Sequence, residues 1–480
     1  MGTKDVTGQF ERVDDRVWYR IDDYDRMPPF LMSLVSCSNH WAYISSRGSM
    51  TAGRESAEHA LFAYRTDDLL HRLHGFAGPA TAIRIAGSDG PVLWEPFSPR
   101  TPSSIVERSL RKTVAGDAIE FTERRSDLRA TFSYRLATSD AFGLTKSCRL
   151  SHTNDDAIEV DILDGFLDVM APNVVLGLVQ TSSTLVDAYR RNELVPGVPL
   201  AVYSIEAAIT DRAEPKESLV ANVAWSVGLD GPDIVLASDA LSEFIAGEEP
   251  VLTSILKGTS ASFFVRTRDS LGTTPRSWDI VADVGQSHAD VARLRSVLSD
   301  LEAAQDALHV DIARGSSNLR RLIRSVDGEQ ATADSMAVAH HFANTLFNTM
   351  RGGALLDDGT IDTAVFRPFV EAWNREAAER HADWLEGLPH RLSHRDMAAA
   401  CDQQDDPVLE RLFLEFLPMT FGRRHGDPSR PWNAFHIRVV DDDGNPAVAY
   451  EGNWRDIFQN WEALGYSFPE YFESFATKFV

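Results

Sequence analysis

The chain has 480 residues, 43% hydrophobic and 25% charged, a globular balance with room for two to four folding units of roughly 100–200 residues each. Its 71 acidic side chains outnumber 47 basic ones, and the formal charge of −24 repels phosphate backbones and argues against nucleic acid as a partner. Cys37, Cys148 and Cys401 are too few and too scattered for a disulfide framework or a paired-Cys metal site, which fits a reducing cytosol.

The opening MGTKDVTGQFERVDD lacks the apolar core of a signal peptide, and no run approaches the ~18 consecutive apolar residues of a spanning helix. A cytoplasmic protein with no membrane partner is the expectation. Up to about Gly285, short segments alternate apolar and polar residues at period two. They include Ala118 to Thr122, Leu128 to Leu136, Ile158 to Ile162, Ala201 to Ile209, Val220 to Val227, Ile234 to Ala237, Ser262 to Arg266 and Trp278 to Val284. Turn signals such as Asn154-Asp155-Asp156, Pro196-Gly197 and Asp230-Gly231-Pro232 separate them. Strands with one wet and one dry face predict an antiparallel sandwich or barrel.

After Gly285 the period becomes helical. Ser287 and Asp290 supply a capping-box start, and Val291, Leu294, Leu298, Leu301 and Leu308 follow at helical spacing. A second helix is predicted around Leu319, Leu322, Ile323 and Val326. A third runs from about Thr332 through Phe342 and Leu346 to a stop at Gly352-Gly353. A fourth starts near Asp362 and carries Phe366, Phe369, Val370, Trp373 and Trp384 before Pro389. Ser393 with Asp396, and the run Val408 to Leu417, predict two more. Phe435 to Val440 and Ala447 to Tyr450 read as strands joined by the turn Asp441 to Pro446. Helices around Ile457, Phe458 and Trp461 and from about Pro469 close the chain.

The chemistry concentrates in RRHGDPSRPWN (Arg423 to Asn433) and YEGNWRDIFQNWEAL (Tyr450 to Leu464). Arg423, Arg424, His425, Asp427, Arg430, Trp432, Asn433, Trp454, Arg455, Asp456 and Gln459 are the candidate substrate-binding residues. Carboxylates, amides and guanidinium groups hydrogen-bond sugar hydroxyls, and Trp offers a flat face to the C–H surface of a sugar ring. A pair of arginines can also clamp an oxyanion such as phosphate. The plainer reading makes these residues surface ion pairs, core tryptophans and a rigid turn. Arg54, Glu55 and Asp68, on N-terminal loops, form a second candidate group, which reads first as solvated loop residues with a helix cap. His340, His341, His381, His390 and His394 lack the spacing of a metal site.

A β-rich half, then helices, then Trp454-Arg455-Asp456-x-x-Gln459 resembles the glycoside phosphorylases of the cellobiose phosphorylase type. The resemblance implies an α+β multidomain fold. It would comprise an N-terminal antiparallel β-supersandwich over 1–285, helical linker material over 286–400, and the incomplete start of an (α/α)6 toroid over 401–480. It implies sugar contacts from Arg455, Asp456 and Gln459, and an inverting attack by inorganic phosphate as co-substrate, or by water in a hydrolase. It implies an oligosaccharide partner, no resident cofactor and a homodimer. Asn460 departs from the acidic residue usual after the Gln. No Asp-Trp-Asn-Asp-like segment supplies the catalytic acid, Asp383-Trp384 being only an echo, so the expectation is a chain cut short of it. The alternative expectation is a carbohydrate-binding or dimerisation module without catalysis.

Overall fold

The computed structural model describes residues 6–72, 75, 77–87, 90–207, 219–422, 427–431, 434–441, 444–450 and 455–478. The chain forms two compact units. One comprises Met1–Ser36, His40–Ser316 and Gly426–Trp432; the other comprises Cys37–Asn39, Ser317–His425 and Asn433–Val480.

The first unit is a large antiparallel β region followed by helices. Among the described residues its widest sheet has eleven strands. In spatial order these are Thr7–Val13, Arg16–Asp22, Val106–Thr113, Ala118–Arg125, Ala130–Ser139, Gly143–His152, Arg276–Ser287, Val220–Val227, Leu200–Ile205, Arg190–Leu194 and Ile255–Lys257. A five-stranded sheet runs Asp233–Ala237, Ala261–Leu271, Ile158–Val169, Gly78–Ile85 and Val92–Trp94. A four-stranded sheet runs Leu31–Leu34, His40–Ser45, Met50–Arg54 and Ala60–Phe62.

The period-two pattern has its physical cause in the core between these sheets. Ala130, Phe132, Tyr134 and Leu136 point inward from one strand, joining Trp94, Phe121, Phe166 and Trp278. Each large side chain buried there contributes about 2–3 kcal/mol. Gly165 is obligatory where Ile158–Val169 meets Ala261–Leu271, since a Cβ would lie 1.9 Å from the Phe263 carbonyl oxygen. The other face of the large sheet, at Leu200, Val223, Trp225 and Val281, is covered by Leu294, Leu298 and Leu308. These come from the helices His288–Val297 and Leu301–Ser325. Ser287 and Asp290 cap the first of them reciprocally, as the sequence predicts.

Three sequence expectations are corrected here. The break predicted between Leu308 and Leu319 is absent: one helix, Leu301–Ser325, runs straight through Gly315, and the interruption falls at Leu298–Asp300 instead. The single helix expected from Asp362 to Pro389 is three, Thr363–Trp373, Arg375–Arg380 and Ala382–Gly387, because Asn374 caps a new start through Ala377. Among the described residues the hairpin over 435–450 is not a pair of strands but one isolated bridge, Val440 to Pro446. Of its turn, Asp442 and Asp443 lie outside the described residues, and Gly444 N–H donates to the Asp441 carbonyl at 3.0 Å. The flanking backbone is satisfied elsewhere: the Asn39 side chain accepts from Val439 N (2.7 Å) and Val440 N (3.1 Å) and donates to Val440 O.

In the second unit the helix Ser335–Gly352 packs against Ile457–Ser467. Trp461, Leu464, Tyr471 and Phe475 share a core with Leu355, Leu417 and Met419. The strands Ala354–Leu355 and Met419–Thr420 pair antiparallel, and Leu356 N–H donates to the Pro418 carbonyl at 2.8 Å. The chain therefore leaves and re-enters through one short ladder. The excursion between has its own core, built from Ile361, Phe366, Val370, Met397, Leu409, Phe413 and Phe416.

Candidate functional site

The structure separates the predicted constellation. Asp427 and Arg430 belong to the first unit, and Arg455, Asp456 and Gln459 to the second. Arg423, Arg424, His425, Trp432, Asn433 and Trp454 lie outside the described residues.

In the first unit, residues 427–431 join the N-terminal loop group: Asp67 N–H donates to the Pro428 carbonyl at 3.1 Å. The Asp427 carboxylate accepts from Ser429 N–H at 2.8 Å and from the Ser429 hydroxyl, so it folds its own turn. Tyr64 is 5% exposed and packs edge-on against Trp41, ring centroids 5.8 Å apart. Burial drives its phenol well above the ordinary range, and Tyr43 and Asp427 add to the effect. Asp68 is exposed and accepts from the Thr66 hydroxyl at 2.5 Å, which lowers its pKa. Arg54 is engaged within the fold. It forks onto Asp283 (2.7 and 2.9 Å) and donates to the Asp140 carbonyl, an internal tie between strands. Glu55 adopts a positive φ of 60° and pairs with His59 at 3.3 Å, which raises the imidazole pKa.

In the second unit, Arg455, Asp456 and Gln459 gather at the start of the eleven-residue helix Ile457–Ser467. Residues three and four apart share a helix face, so Gln459 lies one turn below the pair. Arg455 Nε is 3.3 Å from Asp456 Oδ1, and their side chains are 77% and 29% exposed. Arg455 and Gln459 are exposed and Asp456 is half-buried beside them, and guanidinium, carboxylate and amide groups are the types that hydrogen-bond polyols. Asn460 does not join them. It is 3% exposed, and its Nδ2 has no hydrogen-bond partner among the described residues. A Cβ on Gly352 would lie 2.9 Å from Asn460 Cβ and 2.9 Å from Trp461 Cδ1, and Trp461 Nε1 donates to the Gly352 carbonyl at 2.7 Å. Gly352, read in the sequence only as a helix stop, thus sets how closely the helix bearing Gln459 approaches its neighbour. A glycine at a helix end gives no sequence signal for this role.

The histidines each have a separate local setting. His341 Nε2 is 2.7 Å from the Asp327 carbonyl, His381 Nε2 is 2.8 Å from Asp406 Oδ2, and His394 is buried. Among the described residues no group of three His, Cys, Asp or Glu side chains is placed to hold a metal ion. Among them also, no helix is long and apolar enough to cross a membrane.

The excursion bounded by the Ala354–Leu355 and Met419–Thr420 ladder is where a family model matches. Residues 357–418 fit the family model described as glycoside hydrolase family 149 insertion domain 1. Solved structures of low likeness include a bacterial glucoamylase complexed with acarbose, at 9% identity and a TM-score of 0.39, covering 81% of this chain and 55% of the other. Another is a putative kojibiose phosphorylase from the human microbiome, at 9% identity and a TM-score of 0.36, covering 92% and 53%. The chain thus spans about half the length of these two structures. The comparison with curated proteins found no match.

Proposed function

We propose that the protein acts on oligosaccharides as a glycoside phosphorylase or glycoside hydrolase. The observation that carries this reading is the family 149 match over residues 357–418, which coincides with a structurally self-contained excursion. In this reading the antiparallel region is a supersandwich and the helices of the second unit begin an (α/α)6 toroid. Arg455, Asp456 and Gln459 hydrogen-bond sugar hydroxyls. Asp427, Arg430 and the residues outside the described set, Arg423, Arg424, His425, Trp432, Asn433 and Trp454, complete the sugar and oxyanion contacts.

The reaction inverts the anomeric centre. A carboxylic acid protonates the glycosidic oxygen while phosphate or water attacks from the opposite face of the ring. An arginine-rich segment suits phosphate, because guanidinium groups fork onto its oxygens. The three free cysteines support a reducing, cytoplasmic setting for the proposed enzyme.

Incubating the protein with a panel of oligosaccharides, with and without inorganic phosphate, tests the proposal. A sugar 1-phosphate formed only with phosphate identifies a phosphorylase, and free sugar formed without it identifies a hydrolase. Binding without turnover would replace the enzymatic reading with that of a carbohydrate-binding module. Neither product nor binding would overturn it.

A further inference from the structure

The segment Pro469–Thr477 lies outside the family 149 match yet packs onto it, the helix Phe472–Thr477 meeting Pro407–Glu415. A histidine sits inside that junction. His394, at the start of the helix His394–Asp402, is 9% exposed. Its ring is wedged between Phe413, 4.8 Å away, and Tyr471, 4.3 Å away, and its Nε2 faces the Ser474 hydroxyl at 3.3 Å. Tyr471 is itself anchored, donating its hydroxyl to the Gly359 carbonyl at 2.7 Å.

We propose that His394 is an acid-sensitive latch: its neutral imidazole seats Pro469–Thr477 on the helices His394–Asp402 and Pro407–Glu415, and protonation loosens that segment. The physical reason is the setting. An imidazolium carries two N–H donors and a full charge, and the junction offers two aromatic rings and one hydroxyl. The charged neighbours do not cancel this cost. From the docked segment, Glu470 and Glu473 favour the charged ring, but burial outweighs them and the pKa is lowered. On its own helix, Asp396 is engaged by the Ser393 hydroxyl at 2.7 Å. On Pro407–Glu415, Arg411 and Glu415 pair with each other at 2.7 Å, and Phe413 is the residue that meets the ring.

The sign follows from that direction. A histidine whose folded pKa lies below its unfolded value of 6.5 leaves docking strongest above that value. Docking weakens as pH falls through 6.5 towards the folded pKa, then changes no further on this account.

Amide hydrogen exchange on the whole chain tests the latch, with protection factors corrected for the intrinsic pH dependence. Between pH 7.5 and pH 5, protection over Pro469–Thr477 is expected to fall severalfold, while that of the strand Ile158–Val169 is unchanged. His394→Gln, neutral and still able to meet Ser474, should abolish the fall. A second readout on the wild-type chain, the NMR titration of the His394 ring, should give a midpoint below 6.5. Flat protection in the wild type, a fall that persists in the Gln variant, or a ring midpoint at or above 6.5 would each overturn the proposal.

Discussion

Lys146 Nζ lies 2.5 Å from Asp164 Oδ1, and both side chains are wholly excluded from solvent. The pair ties two sheets together, Lys146 on Gly143–His152 and Asp164 on Ile158–Val169. Asp164 also accepts from Thr81 (2.6 Å), Trp278 Nε1 (2.8 Å) and Cys148 Sγ (3.2 Å), and Lys146 donates to the Ala80 and Gly165 carbonyls. Burial, with Asp164 beside it, pushes the Cys148 thiol far above its usual range, so this cysteine is inert.

Removing one member of a buried pair strands the other charge. Lys146→Met should therefore cost about 3–5 kcal/mol of stability in urea denaturation. The double variant Lys146→Met, Asp164→Leu should recover part of that loss, because no charge is left unpaired. A double variant as unstable as the sum of its singles would show that the hydrogen-bond network, rather than the charge, is what matters.

Gly352→Ala tests the close helix approach. The new Cβ would stand 2.9 Å from atoms of both Asn460 and Trp461, so the helix Ile457–Ser467 must shift. Overpacking of this kind costs about 1–3 kcal/mol. Gly387→Ala is the matched control at another helix end, where a Cβ meets nothing within 4 Å. Thermal melts should separate the two. Equal melting temperatures would mean that the interface has slack.

The sequence was most legible where one face of a strand is wet. Ala130–Ser139, buried at every second position through Leu136, could be seen from alternation, but Met50–Arg54 and Ala60–Phe62 could not, because nearly every residue there is buried and no period-two signal survives. Helix starts were readable through their caps, at Ser287, Asp362 and Ser393. Helix interruptions were not, since a mid-helix glycine costs only about 1 kcal/mol and Gly315 is simply absorbed. The false hairpin at 435–450 failed for a non-local reason. Asn39, 400 positions away from Val439, satisfies the backbone that a partner strand would have used. At the candidate site the residue types pointed to polyol chemistry, but nothing local shows that Arg54 is consumed by Asp283 or that Asn460 turns into a helix interface.

Arg54→Ala should behave as a structural lesion. Its guanidinium bridges Asp283 and the Asp140 carbonyl, and Asp283 is 4% exposed, so truncation leaves a carboxylate poorly compensated. A loss of about 3 kcal/mol is expected. Arg54→Lys should rescue little of it, since an ammonium cannot reproduce the fork. Full stability with lost sugar affinity would instead return Arg54 to the binding site.

The His309–Asp279 contact predicts a pH profile. Burial works against the Asp279 charge, but hydrogen bonds from His309 (2.9 Å), Ser147 and Gln305 prevail and its pKa is lowered. His309 is raised, chiefly by its hydrogen bond to Asp279. The stabilising effect of His309 is fully present below its unfolded value of 6.5 and fades as pH rises through its folded pKa. That of Asp279 is present above 3.8 and fades as pH falls through its lowered folded pKa. His309→Gln should flatten the alkaline side of the stability profile and leave the acid limb of carboxylate protonation. An unchanged alkaline side would mean that the half-exposed imidazole is screened by solvent.

Arg455 and Asp456 offer the sharpest distinction between site and scaffold. Arg455 is 77% exposed and Asp456 29%, and pairs with one member in solvent contribute little to stability. Arg455→Ala and Asp456→Ala should each leave the melting temperature within about 2 °C of the parent. Each should nevertheless weaken oligosaccharide binding at least tenfold, the loss of roughly one charge-assisted hydrogen bond. Calorimetric titration with the sugar that gives turnover provides the affinity, and a melt of the same sample provides the stability. Both variants melting many degrees lower would make the pair a helix-start brace. Unchanged melting with unchanged affinity would remove this helix end from the binding surface and shift the search to the Asp427–Arg430 segment.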